Sequence, residues 1–185
     1  MADLVKLSKF LAFMLRHEAD KFELELDEEG FTDTDLVWAQ VNKRYPGRYT
    51  YNDLLEVVRG DQDGKKRYEI RDRQIRALFG HSSVRAISYP QATPPDTLYH
   101  GTTREALSSI RRDGLKSQSR QYVHLAINTK RASKVAQRHK GQPIILSIRA
   151  GDAHRAGIVF YNPEPEHYLA DFIPPDYIDF PPSSP

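Results

Sequence analysis

The sequence predicts an α+β protein with a mainly helical N-terminal lobe and a β-rich C-terminal lobe. Two observations carry this prediction. Apolar residues recur at helical spacing in the first third of the chain, and short β-branched segments dominate after a proline-rich stretch. The length of 185 residues allows one large domain or two small ones. We divide the chain into a first lobe at residues 1–86, a linker at 87–97, a second lobe at 98–180 and a tail at 181–185.

The first lobe begins with an amphipathic helix. Its apolar side chains share one helical face: Leu7, Phe10, Leu11 and Met14. The helix ends at Arg16-His17. Residues 22–26 then alternate apolar and polar side chains, which predicts a short extended segment, and residues 27–30 are typical of a turn.

Two further helices follow in the first lobe. Thr32 or Thr34 can cap the first of them, and Tyr45-Pro-Gly-Arg48 ends it. Thr50-Tyr-Asn-Asp53 resembles a capping box and starts the second. The N-terminal lobe is therefore expected to pack three helices together.

A hairpin closes the first lobe. After a loop at residues 60–64, residues 67–70 and 74–77 are typical of two strands joined by a short turn. Helix, short strand, two helices and a hairpin is the order of a winged helix. Winged helices often bind nucleic acid, although a fold does not by itself establish a function.

The second lobe alternates short strands with helices. Strands are predicted at residues 98–100, 122–127, 144–148, 158–161 and 168–172. One helix is predicted at 105–112, with Gly114 as its C-terminal cap, and a basic helix at 129–140.

Composition excludes several classes of protein. The chain has no cysteine, which excludes a disulfide scaffold, a Cys-ligated metal and a thiol nucleophile. The net charge is only +2, but residues 104–155 hold twelve Lys or Arg against three Asp or Glu. Residues 156–185 hold five acidic residues and no basic ones. The segment 104–155 is a candidate anion-binding surface, with a solvated basic face as the alternative.

Nothing in the sequence predicts export or a membrane span. The longest apolar run, at residues 10–15, is too short to cross a bilayer, and the N-terminal Met-Ala-Asp-Leu does not resemble a signal peptide. No coiled-coil pattern indicates an oligomer. We therefore expect a monomeric protein of the cytoplasm.

Three short motifs carry groups that bind anions. Arg16-His17 places a guanidinium beside an imidazole, which suits phosphate binding and proton transfer; a solvated helix end is the alternative. Gly80-His-Ser82 and His100-Gly-Thr102 each combine a glycine with hydrogen-bond donors. The last motif is predicted to lie between a strand and a helix, and an ordinary turn is the alternative for both.

Two further residues are weaker candidates for a functional site. Arg120 follows small polar residues that leave room around its side chain, and His124 lies on the strand after it, where a buried core histidine is the alternative. The seven histidines show no spacing typical of zinc ligands, so no metal site is predicted.

The order of these pieces resembles the NAD⁺-dependent RNA 2′-phosphotransferases of the tRNA-splicing type. The match extends from about residue 4 to residue 178, and the ordered set is far more specific than any one member. It consists of Leu7-Ser-Lys-Phe-Leu11, Leu15-Arg-His17, Asp27-Glu-Glu-Gly-Phe31, Lys66-Arg-Tyr-Glu-Ile70, Ile75-Arg-Ala77, Gly80-His-Ser82, Leu98-Tyr-His-Gly-Thr102, Arg120, Val123-His-Leu125 and Pro174-Pro-Asp-Tyr-Ile178.

The resemblance implies a fold and a set of site residues. The first lobe would be a winged-helix RNA-binding module, and the second an ADP-ribosyltransferase-like NAD⁺-binding lobe. The implied catalytic residues are Arg16, His17, Arg67 and Arg120. The implied NAD⁺ contacts are His100, Gly101, Thr102 and Arg138. The implied contacts to the RNA phosphate are Arg16, Arg67, His81 and Ser82.

The resemblance also implies a reaction. The substrate would be an RNA with an internal 2′-phosphate, as in spliced tRNA, and NAD⁺ would be the co-substrate, with no metal. Through an ADP-ribosylated RNA 2′-phosphate, the products would be RNA with a 2′-OH, nicotinamide and ADP-ribose 1″,2″-cyclic phosphate. His17 would act in the second step.

The sequence departs from the family pattern at two places, and two other functions stay open. Phe79 stands where the family usually has Gln, and residues 162–168 replace an Asn-Gly-Val-Trp-like stretch. One alternative is an ADP-ribosyltransferase that modifies terminal phosphates of nucleic acid. The other is a non-catalytic winged-helix sensor of NAD⁺ or phosphorylated RNA.

Overall fold

The computed structural model of the protein describes residues 3–60, 66–82 and 86–182. The chain divides into two compact units, Met1–Ser88 and Tyr89–Pro185. The division falls inside the segment 87–97, where Ile87 is buried in the first unit and Tyr89 in the second. Most of the loop predicted at 60–64 and of the tail predicted at 181–185 lies outside the described residues.

The described part of the first unit packs three α-helices against a small antiparallel sheet. Its elements are α1 (Leu4–Arg16), β1 (Thr32–Asp33), α2 (Thr34–Arg44), α3 (Tyr51–Arg59), β2 (Tyr68–Arg71) and β3 (Gln74–Ala77). The sheet order is β1-β3-β2. The apolar face predicted for α1 is confirmed, because its buried residues are Leu7, Phe10, Leu11, Met14 and Leu15.

Side-chain caps determine where the helices of the first unit begin. The capping box is confirmed: the Thr50 N–H donates to Asp53 Oδ2 at 2.6 Å, and the Asp53 N–H donates to Thr50 Oγ1 at 3.2 Å. The predicted caps Thr32 and Thr34 are wrong. Asp33 lies between them, and its carboxylate accepts two N–H groups of the first turn of α2, which a threonine hydroxyl in β1 or inside the helix is not placed to do.

The extended segment predicted at residues 22–26 is also wrong. Ala19–Phe22 form a 3-10 turn, which ends at Glu23 with a positive φ of 56°. The N–H of Leu24 donates to the carbonyl of Ala19 rather than to a neighbouring strand. Leu24 and Leu26 are buried although the segment is irregular. The alternation of apolar and polar residues at 22–26 is therefore explained by this burial and not by a strand.

The described part of the second unit is built on a six-stranded antiparallel sheet. Its elements are β4 (Thr97–Thr103), α4 (Leu107–Asp113), β5 (Leu115–Lys116), β6 (Val123–Ala126), α5 (Thr129–Ala136), β7 (Pro143–Arg149), α6 (Ala150–Arg155), β8 (Phe160–Glu164), β9 (His167–Ala170), β10 (Phe172–Ile173) and β11 (Ile178–Asp179). The order of the large sheet is β11-β7-β4-β6-β9-β8, and β5 pairs with β10. The mixed α+β class predicted from the sequence is confirmed.

The central strand β4 is joined very unequally to its two neighbours. It pairs with β7 along its whole length, from Thr97 opposite Arg149 to Thr103 opposite Pro143. Its ladder with β6 consists of one residue pair, Tyr99 opposite Ala126. The sheet is therefore nearly divided between β4 and β6.

Three secondary-structure predictions for the second unit need correction. The His100-Gly-Thr102 motif lies inside β4, because the strand continues as far as its partner β7. The basic helix predicted at 129–140 ends at Ala136, with Gln137 as its cap. The short helix α6 was not predicted, since its six residues carry no strong apolar period.

Candidate functional site

The end of α1 and the segment after β3 form one hydrogen-bonded cluster in the first unit. Arg16 is the last residue of α1 and His17 is its C-cap. The Ser82 N–H donates to the Arg16 carbonyl at 2.9 Å, and the His17 Nδ1 to Ser82 Oγ distance is 2.7 Å. The structure thus brings together Arg16, His17 and Ser82, three predicted site residues from two distant parts of the sequence.

Arg67 belongs to the same neighbourhood through the buried side chain of Tyr68. Burial raises the pKa of Tyr68, while the positive charges of Arg16 and Arg67 both act to lower it. Two guanidinium groups therefore lie close enough to one phenol to affect its titration. The Tyr68 hydroxyl donates to the Ser8 carbonyl of α1, which ties β2 to the helix that ends at Arg16.

Aromatic rings support the Arg16 guanidinium. Its central carbon lies 5.2 Å from the centre of the Phe79 ring and 5.8 Å from that of Tyr68. Both distances fall within the range of a cation–π contact. Phe79, one of the departures from the family pattern, therefore contributes a surface against which Arg16 packs.

His81 and Ser82 occupy different environments. His81 is 2% exposed, whereas Ser82 is exposed. A Cβ added to Gly30 would lie 3.4 Å from His81 Nε2, and Gly30 has a positive φ of 85°. The imidazole of His81 is thus packed against the turn at residues 27–30, and the exposed Ser82 is the member of this motif that reaches His17.

In the second unit, His100 lies where β4 and β6 are barely joined. Its Nδ1 is 2.9 Å from the His124 carbonyl oxygen. Because a carbonyl can only accept, Nδ1 carries the hydrogen and Nε2 is the acceptor of a neutral imidazole. Desolvation lowers the pKa of His100, and the nearby His139 lowers it further, while the bond to His124 opposes both.

Gly101 faces α5. A Cβ at this position would lie 2.1 Å from the Ala132 carbonyl oxygen and 2.8 Å from the Ala136 nitrogen. The absence of a side chain is therefore required by the close packing of α5 on β4. The neighbouring Thr102 is 8% exposed.

Arg120 and Arg138 lie in turns of the second unit and are exposed. The Arg120 N–H donates to the Ser117 carbonyl at 3.0 Å, and partial desolvation lowers the pKa of the Arg120 guanidinium. Arg138 follows the end of α5, where its N–H donates to the Val135 carbonyl at 3.0 Å.

Several neighbours of the predicted residues were given no role from the sequence. Tyr68 and Phe79 flank Arg16. Tyr68 was quoted only as part of the motif at residues 66–70, and Phe79 only as a departure from the family pattern. Tyr89, Tyr122 and Tyr161 form an edge-to-face series with centroid distances of 5.5 and 5.3 Å, and only Tyr122 is close to Arg120 in the sequence. No spacing rule connects these three positions.

The loop at residues 162–168, the second departure from the family pattern, has a clear structural role. Asn162 Nδ2 donates to the carbonyls of Glu164 and His167, which closes the β8–β9 hairpin. Arg131 of α5 forms ion pairs with Glu164 and with Glu166, and its side chain is 11% exposed. The hairpin therefore holds α5 in place.

The described residues were also inspected for metal sites and membrane spans. Within residues 3–60, 66–82 and 86–182, no group of three or more His, Asp or Glu side chains is arranged to hold a metal ion. In the same part of the chain, no helix has the length and apolar character needed to cross a membrane.

Fold and site define an α+β protein with a cationic cluster suited to a phosphate in one unit and a neutral histidine acceptor in the other. Comparison with known proteins gives the family. The model of the RNA 2′-phosphotransferase, Tpt1 / KptA family, matches residues 2–171. The chain belongs to this family.

Relatives match over nearly their whole length. A "Probable RNA 2′-phosphotransferase" of Acetivibrio thermocellus is 40% identical over 180 residues, covering 97% of this chain and 98% of the relative. Proteins of the same name from Bacillus thuringiensis subsp. konkukian and Pyrococcus abyssi are 38% and 35% identical. They cover 93% and 94% of this chain, and 92% and 93% of the relatives themselves. The similarity is therefore not confined to one unit.

Proposed function

We propose that this protein transfers an internal 2′-phosphate from a tRNA-like RNA to NAD⁺. The products would be RNA with a 2′-OH, nicotinamide and ADP-ribose 1″,2″-cyclic phosphate. The observation that carries the proposal is the packing of Arg16 against Tyr68 and Phe79 beside the His17–Ser82 hydrogen bond, in a chain that belongs throughout to the RNA 2′-phosphotransferase family.

The first unit supplies the groups for the phosphate. A 2′-phosphate monoester carries close to two negative charges, and guanidinium groups bind such oxygens with paired, charge-assisted hydrogen bonds. Arg16 and Arg67 provide two such groups, and Ser82 provides an exposed hydroxyl. The order of helices and hairpin in this unit supports a winged-helix RNA-binding module, in which these residues would hold the 2′-phosphate.

The second unit has residues that fit NAD⁺. The neutral His100 presents Nε2 as an acceptor, which matches a ribose hydroxyl donor. The near-division of the sheet between β4 and β6 supports an ADP-ribosyltransferase-like lobe, with the dinucleotide bound along this line. Arg138 would contact its anionic groups, and Gly101 would contribute by allowing α5 to pack close to His100.

The residues divide the chemical work by type. When bound, NAD⁺ supplies the electrophilic ribose carbon and the hydroxyl that finally accepts the phosphate. Arg16, Arg67 and Arg120 would stabilise negative charge that develops at phosphorus. His17, held by Ser82, would take a proton from the accepting hydroxyl, which is a role that histidine side chains commonly fill in catalysis.

A single incubation tests the proposal. The protein is mixed with a short RNA carrying one internal 2′-phosphate and with NAD⁺, and all products are identified by mass. We expect RNA that has lost one phosphate, together with nicotinamide and the cyclic ADP-ribose phosphate. RNA that keeps an ADP-ribose would instead indicate a transferase that stops early. Binding without release of nicotinamide would indicate a sensor, and either result would overturn the proposal.

A further inference from the structure

A basic surface lies at the N-terminal half of α1, away from the cluster around Arg16 and His17. Two cations lie over the half-buried ring of Tyr45: Lys6 Nζ and the Arg44 guanidinium carbon are each 5.2 Å from its centre. Arg48 lies 5.8 Å from the centre of the neighbouring Tyr49 ring. We call Lys6, Lys9, Arg44 and Arg48 the α1 basic surface.

In the part of the chain that the structure describes, the cations of this surface form no ion pair with a carboxylate. Among the described residues, no Asp or Glu oxygen lies within 4.0 Å of the charged nitrogens of its four cations. The nearby Asp3 carboxylate is occupied as the N-cap of α1, where it accepts the Lys6 N–H at 3.0 Å. All four cationic side chains are exposed, so an anion can reach them from solvent.

The α1 basic surface is aligned with the candidate phosphate site. At 3.6 residues per turn, Lys6, Lys9 and Arg16 fall within an arc of about 80° on one face of α1. At a rise of about 1.5 Å per residue, Lys9 lies about 10 Å and Lys6 about 15 Å from Arg16 along the helix axis. A stacked nucleic-acid strand advances about 3.4 Å per nucleotide, so this distance corresponds to about three or four nucleotides.

We propose that the α1 basic surface binds the phosphate backbone of the RNA about three or four nucleotides from the 2′-phosphate. Cations packed against tyrosine rings are held in position yet still present N–H groups to phosphate oxygens. This inference rests on the proposed function, because it identifies the partner of the surface as the flank of the same substrate. It predicts that longer RNA is a better substrate than very short RNA.

Binding of RNA without a 2′-phosphate tests the surface independently of catalysis. The probe is a labelled twelve-nucleotide single strand, measured by fluorescence anisotropy over a range of salt concentrations. The salt slope is the steepness with which the logarithm of the binding constant falls as the logarithm of the salt concentration rises. Each lost phosphate contact lowers this slope by about 0.7 and weakens binding about 5-fold at 0.1 M salt. Lys6→Ala/Lys9→Ala/Arg48→Ala should therefore lower the slope by about 2 and raise Kd on the order of 100-fold.

A matched pair of single variants removes the effect of overall charge. Arg48→Ala should weaken binding about 5-fold. Arg59→Ala removes another exposed arginine of the first unit that lies outside this surface, and it should leave Kd unchanged. Equal losses in these two variants, or wild-type binding by the triple variant, would overturn the inference.

Turnover separates this inference from the proposed function. With 2′-phosphorylated substrates of three and twelve nucleotides, the triple variant should lose more kcat/KM on the longer RNA than on the shorter one. Equal losses would contradict a contact to flanking nucleotides. Failure of the wild-type protein to remove the 2′-phosphate from either substrate in the presence of NAD⁺ would overturn the proposed function, and the anisotropy experiment would still decide whether the surface binds RNA.

Discussion

Replacing Gly101 with alanine tests the packing of α5 against the strand that carries His100. The new Cβ would lie 2.1 Å from the Ala132 carbonyl oxygen, whereas non-bonded heavy atoms prefer about 3.5 Å. The oxygen belongs to the backbone of α5 and the new Cβ is fixed to β4, so α5 has to move by more than 1 Å, roughly the shortfall between these distances. Overpacking typically costs about 1–3 kcal/mol, and we expect Gly101→Ala to lose about 3 kcal/mol of unfolding free energy.

Gly157→Ala is the matched control in the same unit. Gly157, unlike Gly101, has a positive φ, of 97°, but nothing lies within 4 Å of an added Cβ, so only backbone strain of about 1 kcal/mol is expected. Urea unfolding followed by circular dichroism should give a midpoint lowered by roughly 1–2 M for Gly101→Ala and by much less for the control. Equal midpoints for Gly101→Ala and the wild-type protein would refute the described packing.

Three further predictions concern the candidate site. Arg67→Ala should lower the rate of 2′-phosphate removal by about 10²–10³ without changing the unfolding midpoint, and a near-normal rate would contradict the role assigned to this guanidinium. His17→Ala should leave RNA that carries an added ADP-ribose, detected by mass; failure to find it would argue against a role in the second step. Because the pKa of His100 is lowered below its usual 6.5, its contribution to stability should be complete above about pH 6.5 and lost as the pH falls below it. In His100→Asn, chemical unfolding between pH 7 and 5 should show a weaker pH dependence, and an unchanged profile would contradict this assignment.

The local elements of the first unit could be predicted because their signals lie within a few residues. The apolar spacing of α1 and the Thr50–Asp53 capping box need no distant partner, and both are confirmed. The alternation at residues 22–26 misled because burial of Leu24 and Leu26 gives the same pattern without a neighbouring strand. The length of β4 could not be predicted from its own residues, because the strand extends through Gly101 to Thr103 only by pairing with the distant strand β7.

The candidate site shows the same distinction between local and distant signals. Its charged members adjoin short motifs and were named from the sequence. Their surroundings were not, because the contact of His17 with Ser82 and the packing of Phe79 on Arg16 join segments that meet only when the hairpin folds against α1. The roles of these residues in binding and catalysis stay predictions until they are tested.

The tie between Tyr68 and α1 has an energetic consequence. Because the hydroxyl of this buried tyrosine bonds the Ser8 carbonyl, folding brings β2 against α1 and places Arg16 over the Tyr68 ring, whose pKa the positive charges of Arg16 and Arg67 both lower. An anion bound beside this ring would be attracted by both positive charges. Phosphate-containing ligands should therefore act as stabilisers of the first unit, and little rearrangement of the two arginines should accompany their binding.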